Sequence, residues 1–185
     1  MNLRAVIDAN VFVTIIVFDL LMRHAEVGHF EPQWSLKITE EVHEALTNRL
    51  KKPWPKEKVK RLFSAANITF GAAMVEEEVD LAEFVEIDEG DRHVVSAAIC
   101  GKAEIILTYN LRDFPVETLA KLGLRPMHPD EFLKELQESY KEDQISFAQE
   151  MARVRGLSDE DFLARLSKTC PQTAASLVES IKSPG

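Results

Sequence analysis

Asp8, Asp88, Asp91 and Asp113 each stand just beyond a short apolar run, and Glu41 and Glu44 lie three apart in a stretch of helical period. A carboxylate in such a place is either a turn residue in water or one corner of a site. Three or four of them held a few ångströms apart repel one another by about 1 kcal/mol per pair in water, and by several times that at an effective dielectric of 20. A cluster of this kind must take up protons or hold a cation. Its donors are all oxygen, with no cysteine or histidine pair at ligand spacing, so the hard ions Mg²⁺ and Mn²⁺ fit best. Such an ion beside phosphate oxygens supports metal-assisted phosphodiester hydrolysis. Each acid also has a duller use: Asp8 and Asp91 could cap or begin helices, Asp113 could turn the chain, and Glu41 or Glu44 could face water.

The elements that would position these acids can be read from the pattern. "LRAVI" at 3–7 is a short β-branched strand ending at Asp8, and the dense apolar stretch 11–27 becomes helical before Gly28. "QWSLKI" reads as a second strand, followed by a helix capped by Thr39 with Glu40 and Glu41 in its first turn and running to about Leu50. "KKPWP" ends it, 56–66 is helical, and the stretch after Gly71, "AAMVEEEVDLAEF", with its run of acids, reads as a solvated helical or loop face. "FVEID" at 84–88 reads as a strand, "EGDRHVVSAAICGKA" as a helix stopped by Gly101, and "EIILT" at 104–108 as the clearest strand. A short helix over 115–122 follows, with Gly123 as its cap, and "LRPMHP" is an edge strand.

Strand and helix thus alternate from residue 3 to about 128, the signature of an α/β fold with a parallel sheet. Ligands in such folds bind outside the carboxyl ends of the strands, so Asp8, Asp88, Asp91 and Asp113 can share one rim. The topology permits this, and spacing alone does not show it. From 131 onward the chain is strand-free and helical, with Ser158 and then Thr169 or Pro171 as helix starts. This divides it into 1–130 and 131–185.

With 31 acids against 22 lysines and arginines, the formal charge is −9, which argues against coating nucleic acid through general basicity. A local basic patch remains. Between 49 and 61, seven basic residues face one acid, Glu57, and Arg49, Lys51 and Lys52, with Arg112, are candidates for phosphate contacts. Trp54, between two prolines, reads as a packing residue rather than a base-stacking platform. His93 reads as a hydrogen-bonded structural histidine, and Arg92 as the partner of a nearby acid. Two distant cysteines, Cys100 and Cys170, suggest neither a disulfide framework nor a zinc site. With no leader pattern and no apolar run of about 18 residues, a cytoplasmic protein with no membrane association is expected.

The segments "VIDANVF", "ITEEVHEAL", "IDEGDRHVVSAAICGKAEIILTYNLRDF" and "LRPMHPDEFL", in this order, resemble the PIN domain, and in particular the VapC toxin ribonucleases. The resemblance covers residues 3 to about 134. It implies a PIN-like α/β/α sandwich around a central, mainly parallel sheet, here with a C-terminal helical extension. It also implies a Mg²⁺- or Mn²⁺-dependent endoribonuclease acting on RNA, leaving 5′-phosphate and 3′-hydroxyl ends and paired with a VapB-type antitoxin, with a homodimer left open. Asp8, Asp91 and Asp113 match metal-binding acids of that family, and Glu44, with Glu41 as the alternate, matches the helix acid. Thr108 and Asn110 match supporting polar residues, joined by Asn10 and Asp88.

Other readings remain open. A catalytically silent PIN-like module binding RNA or protein would have no reason to keep a repulsive acid cluster, and a housekeeping PIN nuclease would lack an antitoxin. A DNA nuclease on the same fold expects a clamp inserted between 8 and 113, which is not seen. A haloacid-dehalogenase-type phosphatase needs an aspartate where Asn10 stands.

Overall fold

The computed structural model describes residues 3–76, 79–82 and 84–182. Its first half runs β1 (Arg4–Ile7), α1 (Ala9–Phe12), α2 (Ile15–Glu26), β2 (Glu31–Ser35), α3 (Leu36–Glu44), α4 (Lys56–Thr69) and β3 (Met74–Val75). There follow α5 (Arg92–Cys100), β4 (Ile105–Leu107), α6 (Val116–Lys121) and β5 (Arg125–Met127), and then four helices, α7 (Pro129–Ser139), α8 (Lys141–Val154), α9 (Asp159–Leu166) and α10 (Pro171–Lys182). A wide π-type turn over Ala45–Arg49 extends α3. No helix among the described residues is long and apolar enough to cross a membrane.

All strand pairs are parallel, in the order β3-β2-β1-β4-β5. Ala5, Val6 and Ile7 and their neighbours Ile105, Ile106 and Leu107 are buried on both faces. A parallel sheet covered by helices on each side demands such continuous apolar strands. From β1 the chain steps to β2 and β3 on one side, then returns past β1 to β4 and β5. The point where the direction reverses lies between β1 and β4, and the crevice at its carboxyl end is where such folds bind ligands. Register aligns Ile7 with Leu107, so the next residues, Asp8 and Thr108, leave the sheet side by side.

Pro32 is tolerated in β2 because β3 pairs only with Trp34 and Ser35, leaving no ladder bond to lose on that side. Gln33 donates from Nε2 to the Gly101 carbonyl at 2.9 Å, and a Cβ on Gly101 would meet Gln33 Oε1 at 2.1 Å, so a larger residue there would have to displace the Gln33 side chain. The C-terminal helices pack on one another, and α8 lies along α2. Arg23 on α2 pairs with Glu150 at 2.7 Å, and Asp19 holds Arg155.

Three expectations are corrected. Residues 84–88 form turns rather than a strand: the amides of Phe84 and Ile87 bond back to the carbonyls of Leu81 and Phe84, and only Ile87 buries, with Val85 largely exposed. The fifth strand is β3, inside the stretch read as a solvated face; of that acidic run, Glu77, Glu78 and Glu83 lie outside the described residues. The second helix starts four residues earlier than expected, because Ser35 Oγ accepts from the Ile38 amide, while the Thr39 hydroxyl donates back to the carbonyls of Ser35 and Leu36. Ser158 does begin α9, accepting from the Asp161 amide at 3.1 Å.

Candidate functional site

Asp8 leaves β1 at the switch point and its amide still bonds to the Leu107 carbonyl of β4. Its side chain makes no aligned capping bond to α1. Its Oδ2 accepts instead from Thr108 Oγ1 and from Asn10 Nδ2, both at 2.6 Å. Thr108 Oγ1 in turn accepts from Asn10 Nδ2 and from the Asn110 amide, each at 3.0 Å, so its one proton and both lone pairs are used. Asn10 Oδ1 accepts from the Tyr109 amide at 3.1 Å. The polar end of "EIILTYNLRDFP" is therefore a closed network that fixes one carboxylate. Phe114, fully buried, anchors the tight turn Leu111–Asp113 that follows.

Burial pushes the Asp8 carboxyl above its usual range, against the Thr108 bond, the nearby amides of Ala9 and Asn10 and the charge of His93. Asp91 precedes α5 and its side chain, like that of Asp8, is not used for capping. Its carboxyl is pushed up to about 6 by burial and then by the charges of Asp8, Asp113 and Asp88, with His93 opposing. Four aspartates from three separate chain segments thus share one electrostatic neighbourhood. Asp88 reaches it from a turn rather than from a strand end. Its Oδ1 accepts from the Gly90 amide at 2.9 Å, and its carbonyl accepts from the amides of Asp91 and Arg92.

The two helix glutamates have different partners. Glu41 Oε2 lies 3.2 Å from His93 Nε2, joining α3 to α5 beside Asp91. Glu44 is exposed and pairs with Arg49 at 2.9 Å. His93 differs from its expected form. Only 8% of its side chain is exposed, yet neither ring nitrogen has an aligned hydrogen-bond partner, so the Glu41 contact is a close approach at poor angle. Arg92 donates to the Ile87 carbonyl at 3.3 Å rather than to an acid. Trp54 packs against the core, with Lys58 Nζ 3.5 Å from its ring centre. Lys51, Lys52 and Arg112 are exposed.

The donor chemistry suits a divalent cation: hard oxygens, with Asp91 raised to about 6 by burial first and then by the charges of its neighbours. Among the described residues no three acidic, histidine or cysteine side chains stand gathered around a single point. Sequence reasoning missed Tyr109 and the His93–Glu41 contact. The spacing carried a hint of the second, since His93 lies two residues after Asp91 on the helix facing α3.

Comparison with known proteins follows the same boundaries. The family model of the PIN domain matches residues 4–112, a span that holds Asp8, Glu41, Glu44, Asp91, Thr108 and Asn110 and stops one residue before Asp113. Over 52 residues the chain is 42% identical to the putative ribonuclease VapC50 of Mycobacterium tuberculosis (strain ATCC 25618 / H37Rv), covering 28% of this chain and 31% of that protein. The chain thus spans less than a third of that relative's length. No solved structure matches. With the family model covering more than half of the chain, and a parallel sheet presenting its acids at the switch point, the chain belongs to the PIN-domain family.

Proposed function

We propose that this protein is a metal-dependent endoribonuclease, the toxin of a VapBC-type pair, held in check by a VapB-type antitoxin. The observation that carries this reading is the placement of Asp8, Asp88, Asp91 and Asp113 at the switch-point crevice, where the charges of Asp8, Asp113 and Asp88 add to burial in raising the Asp91 carboxyl to about 6. Asp8, Asp91 and Asp113 would hold Mg²⁺ or Mn²⁺. Glu41 is the better candidate for the helix acid, since it reaches α5 beside Asp91 whereas Glu44 turns to Arg49. A bound cation lowers the pKa of water and offsets charge on phosphate oxygens.

The chain's own residues do the rest. Thr108 and Asn10 orient the Asp8 carboxylate by two short bonds to one of its oxygens. A carboxylate of the crevice is the candidate to accept the proton of the attacking water. Lys51, Lys52 and Arg112, exposed near the ends of α3 and β4, would position phosphates without reading bases. Similarity to a putative ribonuclease supports RNA as the substrate class.

The test is purified protein with total RNA in Mg²⁺, Mn²⁺ or chelator, beside Asp8→Asn and Asp91→Asn. Cleavage should need the cation and fall by at least about 100-fold in each variant. Variants that cut like the parent, or cutting indifferent to chelator, would refute it. Growth arrest on expression, relieved by a neighbouring small gene product, separates toxin from housekeeping nuclease. Neither cleavage nor arrest would point to a silent binding module.

A further inference from the structure

The second neighbour of the Asp8 network is Tyr109, and it faces two ways. Its amide donates to Asn10 Oδ1 at the rim. Its ring meets His128 edge to face at 5.0 Å, and His128 is the residue before α7, with Nδ1 accepting from the Asp130 amide. Its hydroxyl is buried among Thr14, Thr169 and Cys170, with no aligned hydrogen-bond partner. Thr169 and Cys170 form the turn between α9 and α10, and Cys170 is fully buried.

That turn is itself pinned from α7. Asp130, 2% exposed, accepts from the Gln172 amide at 3.0 Å and the Thr173 amide at 2.8 Å, while Thr173 Oγ1 donates to the Asp130 carbonyl at 3.1 Å. A carboxylate at the first turn of α10 meets both unpaired amides and the positive end of the helix dipole. A continuous line of contacts therefore runs from Asp130 through the Cys170 turn and Tyr109 to Asn10, Thr108 and Asp8.

We propose that Tyr109 is a positioning residue through which the C-terminal helices hold the Asp8–Asn10–Thr108 rim in shape, making the extension part of the site. The reading of that rim as a cation site is needed only for the second arm of its test. The first arm is metal-free: amide hydrogen exchange at Tyr109 and Asn110 by NMR. It compares the full-length parent, Asp130→Asn, Tyr109→Leu, Tyr109→Phe, and Ser158→Ala. The last loosens the start of α9 without touching the line. Asp130→Asn and Tyr109→Leu should speed both rim amides by about tenfold under conditions where the protein stays folded. Tyr109→Phe, keeping the ring on His128, should stay within about threefold, and Ser158→Ala within about twofold.

In the second arm, Mn²⁺ affinity by calorimetry should fall about fivefold in the same two variants and hold in the other two. Rim amides at parental rates in folded Asp130→Asn and Tyr109→Leu, or moved as much by Ser158→Ala, would overturn the proposal. If Asp130→Asn does not fold, Tyr109→Leu decides alone. A parent chain that binds no Mn²⁺ would sink the cation reading, while the exchange arm would still decide the brace.

Discussion

The Thr108 hydroxyl lies 2.6 Å from Asp8 Oδ2, although 100 positions separate the two residues. Strand register brings them together, since β1 and β4 are parallel neighbours that end at the same level. Thr108→Val keeps the branched shape and removes the donor. Stability should drop by about 1–3 kcal/mol in denaturant titration, the range for leaving a buried acceptor short of a partner. The Asp8 carboxyl should also move further up, read by NMR titration of its side-chain carbon, because a bond to the charged form has gone. Thr108→Ser should recover most of both. A valine variant that matches the parent in both measurements would show that the bond carries nothing.

Glu41 and Glu44 separate by their partners. Removing the charge in Glu41→Gln takes an acid away from the His93 side of the crevice, and Mn²⁺ affinity should fall by about tenfold or more by calorimetry. Glu44→Gln breaks an exposed pair with Arg49 worth about 0–1 kcal/mol, so affinity should stay within about twofold. The reverse ranking would return the helix acid to Glu44.

Legibility followed burial. β1 and β4, apolar on both faces, could be read from composition, and the strand-end rule then placed Asp8 on the rim without further information. β3 could not be read, because two residues, Met74 and Val75, at a sheet edge leave almost no periodic signal. "FVEID" looked like a strand because of its β-branched content, but nothing in local sequence says that Val85 meets solvent. The helix start went to Thr39 rather than Ser35 because both are good caps, and only the end of β2 decides between them. For the site, convergence of the aspartates was permitted by topology, while the direction of Glu44 and the role of Tyr109 depend on neighbours 5 and 61 positions away, Arg49 and Cys170. Such contacts have no signature in spacing.

Gly101 tests the packing of α5 on β2. Its backbone has ordinary negative φ, so any cost of Gly101→Ala is steric: the added Cβ would lie 2.1 Å from Gln33 Oε1 and 2.7 Å from Cδ. Gln33 is 6% exposed and has little room to turn away. Overpacking of this kind should cost about 1–3 kcal/mol by thermal or chemical unfolding. Gln33→Ala in the Gly101→Ala background should recover part of that loss, so that the two changes are non-additive. Simple additivity, or no loss in the single variant, would show that the close approach is not a constraint.

His24 should make stability depend on pH in a direction opposite to Asp91. Its ring is fully buried, with Nδ1 2.8 Å from Nδ1 of His29, so one nitrogen donates and the other accepts. Burial first, and then the charge of His29, hold it down to about 4, with Gln144 and Asp143 opposing; Phe147 closes the remaining side and His29 itself reaches Asp143 at 3.1 Å. In the unfolded chain His24 titrates near 6.5, so between about 4 and 6.5 the unfolded state binds more protons and stability rises with pH. The contribution is complete above 6.5 and is lost as pH falls to about 4, up to about 3 kcal/mol. Asp91, raised to about 6, works the other way: the folded state binds more protons between 3.8 and 6, and stability falls as pH rises there. Unfolding free energies should therefore be measured from pH 4.5 to 7.5 in an Asp91→Asn background, with and without His24→Gln. The single variant should lose about 2 kcal/mol toward the acid end, and the double variant should lack that loss, keeping only the opposite trend of Asp8, whose carboxyl is also raised. A parallel slope in both would place the acid sensitivity elsewhere than the His24–His29 contact.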